Sequence, residues 1–421
     1  MRLGFLLKGE FVKDMGGLDA FQIEMVNEMG KRGHESVLFS PALQDRSRAA
    51  SVRLHPAAQH VTFAAATPET FHDEARACIV QHGVDLLCVM YAAPFPLHVP
   101  RLMNATGIPV ILSEHIAPGA MNERYWMPYE RHACLAAADA IHMIFDEFSA
   151  ELPAFLRERT TVIPLPAEQG VAIDWTRRET APRKTLITAG RLVEGQKNHS
   201  LLIKAFLLLA DTFPDWDLCL YGDGPDKARY EAMAANSPHA ARISFPGWIA
   251  DLAPMYEAAS LFCIPSLSEA FGLATVEAQR FALPAVGFAA SPGTNSIIRD
   301  GVNGRLAPET TPESLAETLA PLMASPEQRR AMGIRGQELL SRFEPKAVFD
   351  AWEALFTRTA AVKGQTRLLY PPFSEEDMVM NALHEILARD VPEIRPACVR
   401  QERRIALIEA GAIRPKRMSE L

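Results

Sequence analysis

Short apolar runs alternate with helical patterns along most of this chain. They do so in two series, one on each side of a break near residues 164–184. In the first series, residues 3–7 read as a buried strand. Gly16-Gly17 follows, then a helix over 18–31, where Phe21, Met25, Val26 and Met29 recur at helical spacing. Residues 36–40, 84–90 and 109–113 read as further strands. Strands alternating with helices imply a mostly parallel sheet covered on both faces. Pro164, Pro166, Gly170 and Pro182 interrupt the pattern as an interdomain linker would. The second series predicts strands over 184–189, 217–221, 243–245, 261–265 and 284–288, with helices over 200–211 and 275–281. The expected fold class is therefore α/β, with two doubly wound Rossmann-like domains over 1–166 and 167–345. Such sheets bind ligands at the carboxyl ends of their strands, here in a central cleft that the two domains would face. From residue 346 the chain reads as helical, over 346–359, 375–388 and 399–410.

Composition narrows the function. A length of 421 residues suits two or three domains. The net charge of −8 argues against a nucleic-acid partner, which calls for a basic surface. Six cysteines are scattered with no Cys-x-x-Cys pair, and no His/Cys cluster has the spacing of a metal site. Free thiols in apolar runs imply a reducing compartment. The first apolar run is too short for a signal peptide, and no stretch is long enough to cross a bilayer, so a cytoplasmic location is expected.

Two clusters carry candidate chemistry. Gly190-Arg191-Leu192-Val193-Glu194-Gly195-Gln196-Lys197 lies between a predicted strand and a helix. A guanidinium and an ammonium close together suit a diphosphate, although a solvated loop with two cations would read the same way. The second cluster is Ser266-Leu267-Ser268-Glu269-Ala270-Phe271-Gly272-Leu273-Ala274-Thr275-Val276-Glu277. Glu269 falls in a loop after a strand and Glu277 in the second turn of a helix. The amides of Phe271, Gly272 and Leu273 stand at the helix start, where free N–H groups favour a phosphate. Carboxylates accept bonds from sugar hydroxyls. Each glutamate could instead serve only the helix dipole.

Arg191 and Lys197 followed by the Glu269-x7-Glu277 pair resemble the retaining glycosyltransferases of family 4, built on the GT-B fold. Tyr221-Gly222-Asp223-Gly224-Pro225, Phe245-Pro246-Gly247-Trp248 and Asp300-Gly301-Val302-Asn303-Gly304 resemble that family's intervening and later segments. The resemblance spans about residues 1–360 and is strongest over 185–305. It implies a metal-independent hexosyl transferase with no cofactor, using a nucleotide-diphosphate sugar and a glycan or lipid-linked acceptor of cell-envelope polysaccharide or lipopolysaccharide synthesis. Arg191 and Lys197 would bind the diphosphate, and Glu277 the ribose. Glu269 would contact the transferred sugar, as nucleophile or as positioner, beside the amides of Phe271, Gly272 and Leu273. Gly16 and Gly17 match the family's glycine loop, and His115 its active-site histidine. The helix over 346–359 would cross back to the N-terminal domain. Ala270, Ser296 and Ala282-Leu283 depart from the family's usual glycine, glutamate and glycine. A sugar-nucleotide epimerase and a binding protein without turnover are the rival readings. The epimerase would not need the glutamate pair, and the intact cluster speaks against the binding protein. Arg400, Arg403, Arg404, Arg414, Lys416 and Arg417 form a basic stretch suited to an anionic membrane surface, or to a solvated helix or oligomer contact.

Overall fold

The structure, a computed structural model, describes residues 1–7, 9–12, 16–43, 50–64, 68–90, 107–119, 131, 135 and 138–363. The chain divides into two compact units: Met1–Pro164 with the described residues from Phe349 onward, and Leu165–Val348.

The first unit runs β1 (Arg2–Leu6), α1 (Gly17–Lys31), β2 (Glu35–Pro41), β3 (Ala58–Phe63), α2 (Pro68–His82), β4 (Leu86–Val89), β5 (Val110–Glu114) and β6 (Ala140–Met143). Two short helices, α3 (Asp146–Ala150) and α4 (Ala154–Arg157), lead to β7 (Thr160–Val162). All seven strands are parallel, in the order β3-β2-β1-β4-β5-β6-β7. Leu3 stands opposite Ser36 on one side and Leu86 on the other, so β1 is central and its interior residues are buried. Helix α1 buries Phe21, Met25, Val26 and Met29, the stripe that its spacing predicts.

The second unit contains α5 (Trp175–Thr180), β8 (Lys184–Ala189), α6 (His199–Leu209), β9 (Trp216–Tyr221), α7 (Lys227–Ala235), β10 (Ile243–Gly247), α8 (Ala253–Ala258), β11 (Leu261–Cys263) and α9 (Leu273–Arg280). After these come β12 (Ala285–Phe288), α10 (Thr294–Ile297), β13 (Gly304–Ala307), α11 (Pro312–Ala324) and α12 (Pro326–Leu339). Its sheet is parallel, in the order β10-β9-β8-β11-β12-β13. One core cluster joins Leu202, Ile203 and Phe206 of α6 to Leu315, Leu319 and Leu322 of α11. The other joins Tyr256 of α8 to Ala278 of α9 and to Phe281. Each sheet therefore has helices on both faces. Its strand order reverses once, between β1 and β4 in the first sheet and between β8 and β11 in the second.

The segment 165–184, expected as a linker, belongs to the second unit and holds α5. Asp174 caps that helix by accepting from the Arg177 amide at 2.9 Å. Arg178 is buried and donates to the carbonyls of Phe281 at 2.9 Å and Tyr256 at 3.1 Å. A proline-rich composition hid this anchoring. Helix α13 (Pro345–Ala360) begins in the second unit, and its residues from Phe349 belong to the first. There Trp352 meets Phe21 with ring centroids 6.1 Å apart, and Phe356 meets Phe5 at 5.9 Å. The helices expected over 375–388 and 399–410, and the basic stretch from Arg400, lie outside the described residues. Among the described residues no helix is long and apolar enough to cross a membrane.

Candidate active site

In the second unit the predicted residues gather at the carboxyl edge of the sheet. The loop after β8 carries Arg191 and Lys197, and the loop after β11 carries Glu269. These two strands flank the point where the strand order reverses. The Leu267 amide donates to the Gln196 carbonyl at 2.8 Å and ties the loops together. Lys197 Nζ then meets Glu269 Oε1 at 2.6 Å, with Glu269 buried and Lys197 mostly so. Arg191 is exposed, and its guanidinium has no partner among the described residues.

Two glycines allow this convergence. A Cβ on Gly222 would lie 1.9 Å from the Gly190 carbonyl oxygen, so the loop after β9 can close on the Arg191 loop only without a side chain. Gly293 has φ +76°, and a Cβ there would lie 2.3 Å from the Glu269 carbonyl oxygen. The Glu269 amide in turn donates to the Pro292 carbonyl at 2.9 Å.

Gly272 caps α9, and neither its amide nor that of Leu273 has an acceptor among the described residues. The Phe271 ring is buried, edge-on to Phe343 at 5.1 Å, so only its backbone can serve a ligand. Glu277 stands on α9, where the Tyr256 hydroxyl donates to its Oε2 at 3.1 Å. Although the residue is exposed as a whole, crowding around its carboxyl raises the pKa. The Tyr256 bond and Arg280 pull it the other way. Lys197 and Glu269 are thus brought into contact, and Arg191, Gly272, Leu273 and Glu277 share their sheet edge.

In the first unit, Gly16 and Gly17 open α1 after the β1 loop, where the Gly16 amide donates to Asp19 Oδ2 at 2.9 Å. Among the described residues, a Cβ on Gly16 would meet nothing nearer than Asp19 Oδ2 at 3.8 Å. His115 directly follows β5 and is buried. Ser113 Oγ lies 2.8 Å from His115 Nε2 and 2.8 Å from His142 Nδ1. His142 Nε2 lies 2.8 Å from the Ile163 carbonyl. Burial lowers the His142 pKa to about 4. Burial, then the neighbouring His142, push His115 well below the ordinary histidine value. Both rings are therefore neutral near pH 7. His115 Nδ1 is buried and has no partner among the described residues. Beside it, Glu114 takes a bidentate contact from Arg131, with Nε to Oε1 at 2.9 Å and Nη2 to Oε2 at 2.7 Å.

Sequence reasoning missed Tyr256, and it missed His142 altogether. Ser113 and His142 are 29 positions apart and become neighbours only because β5 pairs with β6. Nothing in their local sequence signals that pairing.

Residues 173–339 match the family model of glycosyl transferases group 1, and residues 15–167 match that of glycosyltransferase family 4. The chain belongs to the glycosyltransferases of the GT-B fold. It is 27% identical over 172 residues to an uncharacterized glycosyltransferase of Haemophilus influenzae, covering 41% of this chain and 48% of that one. It is 29% identical over 184 residues to the lipopolysaccharide core biosynthesis glycosyltransferase LpsE of Rhizobium meliloti, covering 43% and 52%. The chain thus spans about half the length of these curated relatives. Its fold is shared with Anabaena HepE, solved in complex with UDP-glucose, at TM-score 0.66 and 17% identity over 85% of this glycosyltransferase and all of HepE.

Proposed function

We propose that this chain transfers a hexosyl group from a nucleotide-diphosphate sugar to an acceptor hydroxyl, with the anomeric configuration retained. The observation that carries the reading is the Lys197–Glu269 contact at the sheet's switch point, beside an Arg191 guanidinium unpaired among the described residues. Departure of the diphosphate builds negative charge. Arg191, Lys197 and the amides of Gly272 and Leu273 are donors for that charge, and such preorganised donors supply a large part of catalysis. In this reading the two cations take the place of a metal ion. Glu277, oriented by Tyr256, accepts the ribose hydroxyls. Glu269 contacts the transferred sugar and holds Lys197 in place before the donor arrives. Within the first unit, Gly16, Gly17 and His115 are the residues offered to sugar hydroxyls.

The UDP-glucose complex of HepE supports a nucleotide-sugar donor. The likeness to LpsE supports a lipopolysaccharide or related envelope-glycan acceptor. The test is a thermal-shift screen of nucleoside diphosphates, followed by transfer assays with the sugar donors of the stabilising base and NMR of the product's anomeric centre. Stabilisation by one nucleotide and a retained anomer support the reading. An inverted anomer rejects the retaining step, and the lack of any stabilising nucleotide rejects the donor assignment.

A further inference from the structure

His115 Nδ1 is a buried nitrogen without a partner among the described residues, and the atoms behind the ring decide its protonation. The Ile163 carbonyl can only accept, so His142 must donate from Nε2 at 2.8 Å. Neutral His142 then has a bare Nδ1. Ser113 has one hydroxyl proton, and His142 Nδ1, 2.8 Å away, takes it. Ser113 Oγ can therefore only accept from His115 Nε2, also at 2.8 Å. The proton of His115 is thus on Nε2, and its Nδ1 carries a lone pair. The ring of His142 is itself held by Trp352, with centroids 4.2 Å apart, and that of His115 by Phe21, at 5.5 Å.

We propose that Ser113 and His142 are positioning residues that lock His115 in the Nε2-protonated tautomer, so that its Nδ1 lone pair is reserved to accept a hydrogen bond from a sugar hydroxyl. The identity of that ligand rests on the glycosyl-transfer reading, whereas the tautomer lock does not. A relay in which every donor has one acceptor leaves Nδ1 able only to accept. A substrate group that could only accept would leave two lone pairs opposed in a buried site, which is costly.

The test is 15N NMR of the full chain labelled with [15N]histidine at neutral pH without ligand, with His115→Gln identifying the His115 signals. The expected result is an unprotonated Nδ1 and a protonated Nε2. In His142→Phe the freed Ser113 hydroxyl turns to His115, so the two signals exchange character. In Ser113→Ala they become a mixture, and this variant carries the test should His142→Phe not fold. A wild-type proton on Nδ1, or folded variants with the wild-type pattern, overturns the proposal. Kinetically, His142→Phe should lower kcat by about tenfold to a hundredfold, the range of one lost hydrogen bond to a buried group. His142→Asn, whose amide oxygen can take the Ser113 proton, should recover kcat to within about threefold of wild type. Equal losses in both variants overturn the proposal. If no nucleotide sugar supports turnover by the wild type, the transferase reading fails, and the NMR pattern still decides the lock.

Discussion

Lys197 and Glu269 meet across the switch point of the second sheet, Nζ to Oε1 at 2.6 Å, with only 8% of the Glu269 side chain exposed. Removing one partner of such a pair strands the other charge, at a cost of about 2–3 kcal/mol here, since Lys197 keeps some access to water. Lys197→Ala should therefore lose stability as well as transfer by orders of magnitude. The double variant Lys197→Met, Glu269→Gln should regain most of the stability and none of the turnover. Denaturant titrations beside a transfer assay make the comparison. A double variant no more stable than Lys197→Ala would show that the stranded carboxylate is not the cause.

Tyr256 is buried in the core, yet its hydroxyl bonds Glu277 at 3.1 Å. Tyr256→Phe removes one donor and leaves the ring packing, stacked on Phe281 at 5.5 Å, in place. Affinity for the stabilising nucleoside diphosphate should fall by about threefold to tenfold, with little change in melting temperature. Calorimetry measures it. Unchanged affinity would separate Glu277 from the nucleotide.

How much of this was legible beforehand depended on whether the signal was local. β8 and β9 stand out because apolar runs sit between breakers, with Lys184–Ala189 legible at both ends, and α1 because its apolar residues recur at helical spacing. β3 did not stand out, because an edge strand with a largely half-exposed sequence lacks a continuous apolar run. β6 carries His142 among its four residues and β7 opens on Thr160-Thr161, so neither offers a continuous apolar run. The Arg191–Lys197 and Glu269–Glu277 clusters could be read as contiguous motifs at predicted strand ends. Their meeting, and the dependence of His115 on His142, arise from strand order, which no local pattern encodes.

Ala282 belongs to the Ala282-Leu283 pair that stands where the resemblance leads one to expect a glycine, and its backbone adopts a conformation that glycine favours. Its φ is +51°, in the left-handed region where a Cβ costs about 1–2 kcal/mol. The residue is fully buried, so glycine would give back part of that gain through its unfolded-chain entropy and the lost methyl contacts. Ala282→Gly should stabilise the second unit by about 0.5–1 kcal/mol, seen as a rise of roughly 2 °C in melting temperature. A fall in melting temperature would mean that packing of the methyl outweighs the backbone strain.

If Arg191 and Lys197 neutralise the leaving diphosphate, a divalent ion has no part left to play there. Turnover in excess EDTA should stay within about twofold of that in magnesium, whereas Arg191→Ala should lose at least about a hundredfold, as for removal of one preorganised charge donor. Loss of turnover in EDTA, restored by a single metal, would reject this division of roles.

Stability should fall as the solution is acidified from about pH 6.5 to pH 4, earlier than carboxylate protonation alone would bring. His142 and His199 are held near pKa 4 by burial, and His115 is also lowered. Unfolding returns each to the ordinary value of about 6.5. Between those limits the unfolded chain binds more protons than the native one, so native stability rises with pH, by up to about 1.4 kcal/mol per pH unit for each such group. The stabilising contribution is complete above pH 6.5 and is lost as pH drops through the folded values. Glu277, whose carboxyl is raised, works in the opposite direction but is a single group. In His142→Asn one titrating site is gone, so the melting temperature should decline less steeply over this range than in the wild type. Parallel declines would show that His142 becomes protonated without unfolding its surroundings.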